Sequence, residues 1–399
     1  MLIRILVVLF ILIAPLSAKS ATVILTSFPE SFYSHIEKEF KAKYPHSTLQ
    51  FMNKKTPALI AHIMQQRQPM PDLVWISSSD AMALMQKMGY IETPITFAWS
   101  RFGFFWHNDM LTRYSLDKPS QWSSLLAPEY SRKVALSAPS RSGTNHLVIE
   151  LILQQHGWQQ GWQLIAELSG NLSTITARSF GVRQGIIKQR FAVAPVVDFF
   201  YKDAFESGHN VGFSPLPNTP LIPAQIAYVS GKSTHDGTQF IEFLLSKAGQ
   251  DLLSSPLLNR IPLEQGNAMQ LSLQAYQFDA QLSASRYHIV NRMFDLFVTE
   301  RLADWQTFWM LWHKTNLRQL SEEQRTELNQ IRSKVLVIPI DESVAIDPVL
   351  NSKLSPVNRY ENFYKRLTAS WQKDLATTLS EATRQLELLA LHVEQGGVE

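Results

Sequence analysis

The 399-residue chain contains no cysteine. Disulfides and thiolate metal sites are therefore excluded, and so is a lipid anchor attached to a cysteine at a leader cleavage site. Charge of one sign is scarce too: 37 Lys and Arg against 34 Asp and Glu leave a net charge of +3. No basic stripe of the kind that tracks a nucleic acid is present. Catalytic signatures are equally missing. There is no G-x-S-x-G, no H-E-x-x-H and no G-x-x-x-x-G-K, and the 11 histidines show no metal-ligand spacing. Neither an enzyme nor a bound cofactor or metal is expected.

Long apolar runs are also lacking, since about 18–20 residues are needed to span a bilayer. The one notable run is N-terminal and shorter. Arg4 supplies a positive start, Ile5 to Pro15 is apolar, and small residues follow at Ser17, Ala18, Ser20 and Ala21. That order reads as a signal peptide over 1–20, cut after Ala18 or Ser20, with export and no stable membrane insertion afterwards.

What remains is rich enough in apolar side chains, 45% against 18% charged, to bury substantial cores. Its length predicts two or three units. From Thr22 the pattern alternates short apolar runs (Thr22 to Ser27, Thr48 to Phe51, Leu73 to Ile76) with helical periods such as Phe32, Ile36 and Phe40. Strands separated by helices imply parallel pairing and an α/β fold. A second series begins at Val134 to Ser137, with helices over Thr144 to His156 and Gln159 to Leu168 and a strand over Ala192 to Val197. The aromatic run Thr96 to Trp106 and the proline-rich Pro215 to Pro223 read as extended segments crossing between lobes, and Gly237 to Leu253 as one amphipathic helix. Beyond about residue 268 the texture is helical only. The Trp305, Trp309, Trp312 stripe reads as helix-packing core, with an exposed partner surface as the alternative.

The most informative segment is Ala138 to His146 (APSRSGTNH), which follows a strand and opens a helix. Unpaired N–H groups at a helix start, with the positive end of its dipole, bind carboxylate or phosphate. The candidates here are Ser140, Arg141, Ser142, Gly143, Thr144 and Asn145, with Arg141 adding a charge-assisted contact. The alternative is an ordinary cap by Ser142 or Thr144. Ala177 to Val182 (ARSFGV) repeats the logic with Arg178, Ser179, Phe180 and Gly181. Thr26-Ser27 and Ser77-Ser78 are polar pairs at strand ends, where ligands of open α/β sheets collect. Asp198 follows a strand and either accepts from ligand hydroxyls or serves as a cap or internal ion pair. His146 reads as a helix-packing histidine.

On these segments the sequence resembles the iron(III)-type branch of ABC-transporter solute-binding proteins from about Thr22 to Asn267, including the N-R-I-P segment at Asn259 to Pro262. More closely it resembles the phosphoglycerate transport regulatory protein family, over nearly the whole chain. The most specific stretches are Ser137 to His146, Gln154 to Trp162 (QQHGWQQGW) and Ser169 to Val182 (SGNLSTITARSFGV). The resemblance implies a type II periplasmic binding fold: two α/β lobes with a crossover hinge, plus a C-terminal helical extension. It also implies phosphoglycerates or phosphoenolpyruvate as ligands and a role beside a membrane sensor kinase. Related iron binders carry paired tyrosines where Phe199 and Phe200 stand here, with only Tyr201 next; phenylalanine cannot ligate iron(III), which disfavours iron.

The expected organisation is therefore lobe 1 over 21–105 and 226–267, lobe 2 over 106–225, and an extension over 268–399 whose removal spares ligand binding. Rival expectations are an ABC-transporter delivery protein docking on a permease, with an anionic solute such as a sugar phosphate, and an exported phosphate-ester hydrolase.

Overall fold

A computed structural model describes residues 21–217, 219–272 and 277–396. The expected leader at 1–20 lies outside them. Ten strands form two sheets: β1 (Thr22–Thr26), β2 (Leu49–Asn53), β3 (Leu73–Ile76), β4 (Ile95–Ser100), β5 (Phe102–His107), β6 (Val134–Ser137), β7 (Leu172–Thr176), β8 (Val193–Val197), β9 (Val211–Pro215) and β10 (Ile222–Tyr228). Their orders are β2-β1-β3-β10-β4 and β7-β6-β8-β5-β9. The two orders are one pattern used twice. Each sheet has three parallel strands, then one antiparallel strand contributed from across the molecule, then an edge strand.

The chain changes sheet at Arg101, between β4 and β5, and again between β9 and β10. The run expected as one extended segment at Thr96 to Trp106 is thus two strands in different sheets. Both changes of sheet lie a few residues before the expected divisions at 105/106 and 225/226. Two strands, β7 and β9, carried no apolar run strong enough to be recognised. The single helix expected over Gly237 to Leu253 is two, His235–Leu245 and Lys247–Ser254, because Ser246 caps the second by accepting from the Gly249 N–H.

Strand alternation divides the first lobe's core in two. Ile24, Leu73 and Trp75 face one side and pack with Phe32, Phe40, Phe97 and Phe240. Leu25, Val74 and Ile76 face the other and pack with Leu59, Ile63, Met82 and Met85. With both faces covered by helices, β3 is buried at every residue.

The second lobe is built differently. Its core is continuous with that of the extension: Leu151, Trp162 and Ile165 share one apolar cluster with Ile289, Phe294, Phe297, Trp305 and Leu386. Trp305 and Trp309 are buried, as packing predicts. Trp309 donates its indole N–H to the Ala166 carbonyl at 2.8 Å, and a Cβ added at Gly170 would lie 2.5 Å from that of Trp309. Helices Trp158–Asn171 and Leu302–Asn316 therefore cross in direct backbone approach. Removing the extension would strip apolar cover from the second lobe, so it is not the detachable segment that its change of composition suggested. Two α/β lobes with crossovers and a helical extension constitute the type II periplasmic binding fold.

Candidate functional site

Between the lobes lies a cleft of about 460 Å³. Among the helices that begin on it are four, Glu30–Lys43 and Thr56–Met64 from the first lobe, Gly143–His156 and Ser179–Ile187 from the second. Three of the four lack a side-chain cap, their flanking residues being Pro29, Lys55 and Arg178. At the fourth, Ser142 Oγ accepts from the Asn145 N–H at 3.4 Å. That cap leaves the Gly143 and Thr144 N–H groups without a hydrogen bond among the described residues, and the Ser179 and Phe180 N–H groups are in the same state. Two unsatisfied helix starts side by side on the second lobe, each with its dipole's positive end toward the cleft, make an anion-binding surface.

Side-chain charge points the same way. Lys55, Arg141, Arg178, Arg183 and Arg260 line the cleft, joined by His35, while Asp203 is the one carboxylate lining it among the described residues. Asp203 is already ion-paired to Arg183. Lys55, Arg141, Arg178 and Arg260 have no carboxylate partner within ion-pair distance among the described residues.

Of the residues expected from sequence, the structure brings together Ser27, Ser77, Arg141, Ser142, Gly143, Thr144, Arg178, Ser179 and Phe180 on this cleft. The other six lie off its wall. Thr26 is fully buried; its Oγ1 donates to the Trp75 carbonyl at 2.7 Å and accepts from the Phe28 N–H at 3.0 Å, tying β1 to β3. Ser78 donates to Asp80 Oδ1 at 2.5 Å. Ser140 donates to Asp295 at 2.9 Å on a smaller pocket behind. Asn145 is turned inward, its Oδ1 accepting from the Ser137 N–H at 3.1 Å. Gly181 is exposed and meets Thr176. Asp198 is buried, and burial raises its carboxyl pKa against the pull of Lys202, Arg260 and Arg101.

Sequence reasoning missed Lys55, Thr56, His35, Arg183 and Arg260. Lys55-Thr56-Pro57 follows β2 and opens a helix with proline in its first turn. It carried the same signal that picked out Ser77-Ser78. Arg260 had no such signal, because it enters the cleft from beyond the second crossover.

The lobes touch at the cleft floor. A Cβ on Gly143 would lie 2.7 Å from Ser78 Oγ, 2.8 Å from Thr56 Oγ1 and 2.9 Å from Ser78 Cβ, all on the opposite lobe. Just behind, a buried polar network spans both lobes and the extension. His146 Nε2 lies 3.3 Å from Asp80 Oδ2, and Ser283 Oγ lies 3.3 Å from each. His146 Nδ1 meets Asn291 Oδ1 at 2.8 Å.

Comparison with known proteins agrees with this architecture. The sequence profile of the bacterial extracellular solute-binding proteins matches residues 77–278. The phosphoglycerate transport regulatory protein PgtC of Salmonella typhimurium is 30% identical over 303 residues, covering 73% of each chain. Among solved structures, the periplasmic binding protein AfuA of Actinobacillus pleuropneumoniae, with fructose 6-phosphate bound, superposes with a TM-score of 0.62 at 18% identity, covering 70% of this chain and 98% of its own. The apo ferric ion-binding protein A of Pasteurella haemolytica gives 0.57 at 11% identity, covering 69% and 96%. At such identities these two structures speak for the fold alone. The match to PgtC and to the solute-binding profile goes further: this chain belongs to the bacterial extracellular solute-binding proteins and, among them, to the phosphoglycerate transport regulatory protein family, with a solute-binding or sensing role.

Proposed function

We propose that the protein works in the periplasm, without catalysis of its own, and closes on a small phosphorylated carboxylic acid such as phosphoglycerate or phosphoenolpyruvate. The bound form is read by a membrane sensor kinase that induces phosphoglycerate transport. The observation that carries this reading is the unbalanced positive charge of the cleft: four cations without carboxylate partners among the described residues, beside two helix starts whose first N–H groups have no partner among them either. A neutral solute would leave that charge uncompensated in a partly dehydrated site. A phosphate with a carboxylate supplies about three negative charges and several acceptors.

In this reading the phosphate is held by the Gly143 and Thr144 N–H groups and the Ser142 and Thr144 hydroxyls, with Arg141 and Arg178 neutralising it. Ser27 and Ser77 meet the ligand from the first lobe. Closure is favoured because only the closed form offers both sets of contacts.

Titration calorimetry of the purified protein with 3-phosphoglycerate tests the ligand. Arg141→Ala combined with Arg178→Ala should weaken binding by at least about 100-fold, each charge-assisted contact being worth roughly 1.5–3 kcal/mol. Undiminished binding by the double variant removes the proposed site, and a marked preference for fructose 6-phosphate replaces the ligand class. The same double variant should fail to induce transport in cells.

A further inference from the structure

Arg260 stands apart from the other cations of the cleft. It is 4% exposed, whereas Arg141 and Arg178 are open to solvent. Its guanidinium carbon sits 3.5 Å from the ring centroid of Phe199 in the second lobe, 4.6 Å from Phe32 and 5.9 Å from Phe28 in the first. Aromatic faces thus cover the planar cation and leave its N–H edge as the way out. Along that edge Nη1 donates to the Leu258 carbonyl at 3.1 Å, and the buried Nε has no hydrogen-bond partner among the described residues. Asp198 acts on it electrostatically from the second lobe.

The position is rigid. Ile261 exchanges two backbone hydrogen bonds with Trp99 on β4, at 2.8 and 3.0 Å. On the other side Asn259 holds a left-handed φ of 54°, and its side-chain amide donates to Glu206 of the second lobe at 3.0 Å. A dehydrated cation with an idle donor, fixed in place and facing a ligand cleft, is poised for an anion. Its burial also pulls its pKa down to about 9, which leaves it charged at neutral pH while recording the desolvation that an anionic partner would offset.

We propose that Arg260, clasped by Phe199, Phe28 and Phe32, forms a second anion subsite that reads the ligand's carboxylate, separate from the helix starts that take the phosphate. The cleft then selects molecules with an anion at each end. This rests on the phosphorylated-acid reading above and adds the specificity determinant to it. Because Arg260 and Phe199 come from different lobes, the subsite is complete only when the cleft is shut.

The test uses the full mature chain and two probes of equal carbon number, 3-phosphoglycerate and glycerol 3-phosphate, which lacks the carboxylate. The wild type should prefer 3-phosphoglycerate by about 30-fold, the discrimination expected for one charge-assisted pair. Arg260→Gln should erase the preference by weakening 3-phosphoglycerate alone, and Arg260→Lys should restore part of it. Arg141→Ala should weaken both probes alike. Equal wild-type affinity for the two probes overturns the subsite, and so does an Arg260→Gln variant that weakens both equally or neither. If Arg260→Gln does not fold, Arg260→Lys carries the test: a lowered preference with unchanged affinity for glycerol 3-phosphate supports the subsite, and a ratio equal to that of the wild type overturns it. Failure of the wild type to bind either probe sinks the phosphorylated-acid reading itself, whereas binding without discrimination sinks only the carboxylate subsite.

Discussion

A methyl group at Gly143 should act as a wedge in the cleft. In Gly143→Ala the new carbon would sit 2.7 to 2.9 Å from three atoms of the opposite lobe, where ordinary contact needs about 3.4 Å or more. Two of those atoms are hydroxyl oxygens, but the third, Ser78 Cβ, cannot rotate out of the way. Ser78 is also fixed by its 2.5 Å bond to Asp80. The overlap is therefore relieved by parting the lobes. Overpacking of this kind costs about 1–3 kcal/mol. Because the overlap exists only where the lobes meet, the loss should fall on the liganded form. Affinity for 3-phosphoglycerate should drop by roughly 5- to 150-fold, at 1.4 kcal/mol per factor of ten. Calorimetry measures the affinity, and small-angle scattering with saturating ligand should show a more open envelope than wild type. A variant that binds within threefold of wild type and scatters identically would refute the argument that Gly143 is the point where the lobes close.

Two further outcomes follow from buried groups outside the cleft. His288 is held neutral by burial, its pKa pushed down to about 3, so between pH 6.5 and 3 the unfolded chain binds the extra proton and stability falls as the pH falls. The difference amounts to about 2 kcal/mol at pH 5. His288→Phe should therefore gain about that much relative to wild type between pH 7.5 and 5 in urea denaturation, and parallel pH profiles would disprove it. Arg286 and Glu150 are both fully buried and paired at 2.9 Å, with Glu342 as a second, half-exposed partner. Arg286→Met should cost about 3–5 kcal/mol by stranding the Glu150 carboxylate, and adding Glu150→Leu should recover most of it. A loss below about 1 kcal/mol in the single variant would contradict this.

The sequence displayed what repeats locally. Buried strands such as β3 and β6 announce themselves as unbroken apolar runs. Helix starts such as Ser142-Gly143-Thr144 announce themselves by small polar residues after a strand. What it could not display is distance between segments remote in the chain. Thr26 and Ser27 are adjacent and look alike, yet one staples two strands from within and the other faces the cleft; strand alternation separates them only when the buried face is known. β7 (LSTIT) is largely polar, and after the buried Leu172 all four of its residues are only partly buried, so no apolar run marked it. Arg260 acquires its meaning from three phenylalanines far from it in sequence. The extension looked separable because its composition changes, but composition says nothing about which apolar face it covers.

That last point bears on how the molecule moves. The extension holds the first lobe through Ser283, bonded to Asp80, and the second through Asn291, bonded to His146. Asp80 and His146 also meet each other directly, with both side chains fully buried. His146 is on the helix whose first turn carries Gly143 and Thr144, and Asp80 is two residues beyond Ser78, which lies beneath Gly143. The cleft floor and the grip of the extension on both lobes are thus successive turns of the same two helices. Parting the lobes at Gly143 must separate Asp80 from His146, and Ser283 can then follow only one of them. Burial raises the Asp80 carboxyl pKa against the attraction of His146 and the hydrogen bonds from the Ser78 hydroxyl and the Ala81 N–H. An open cleft therefore requires helix Ala280–Ser285 to give up the contact of Ser283 with either Asp80 or His146, so the extension takes part in any parting of the lobes at this point.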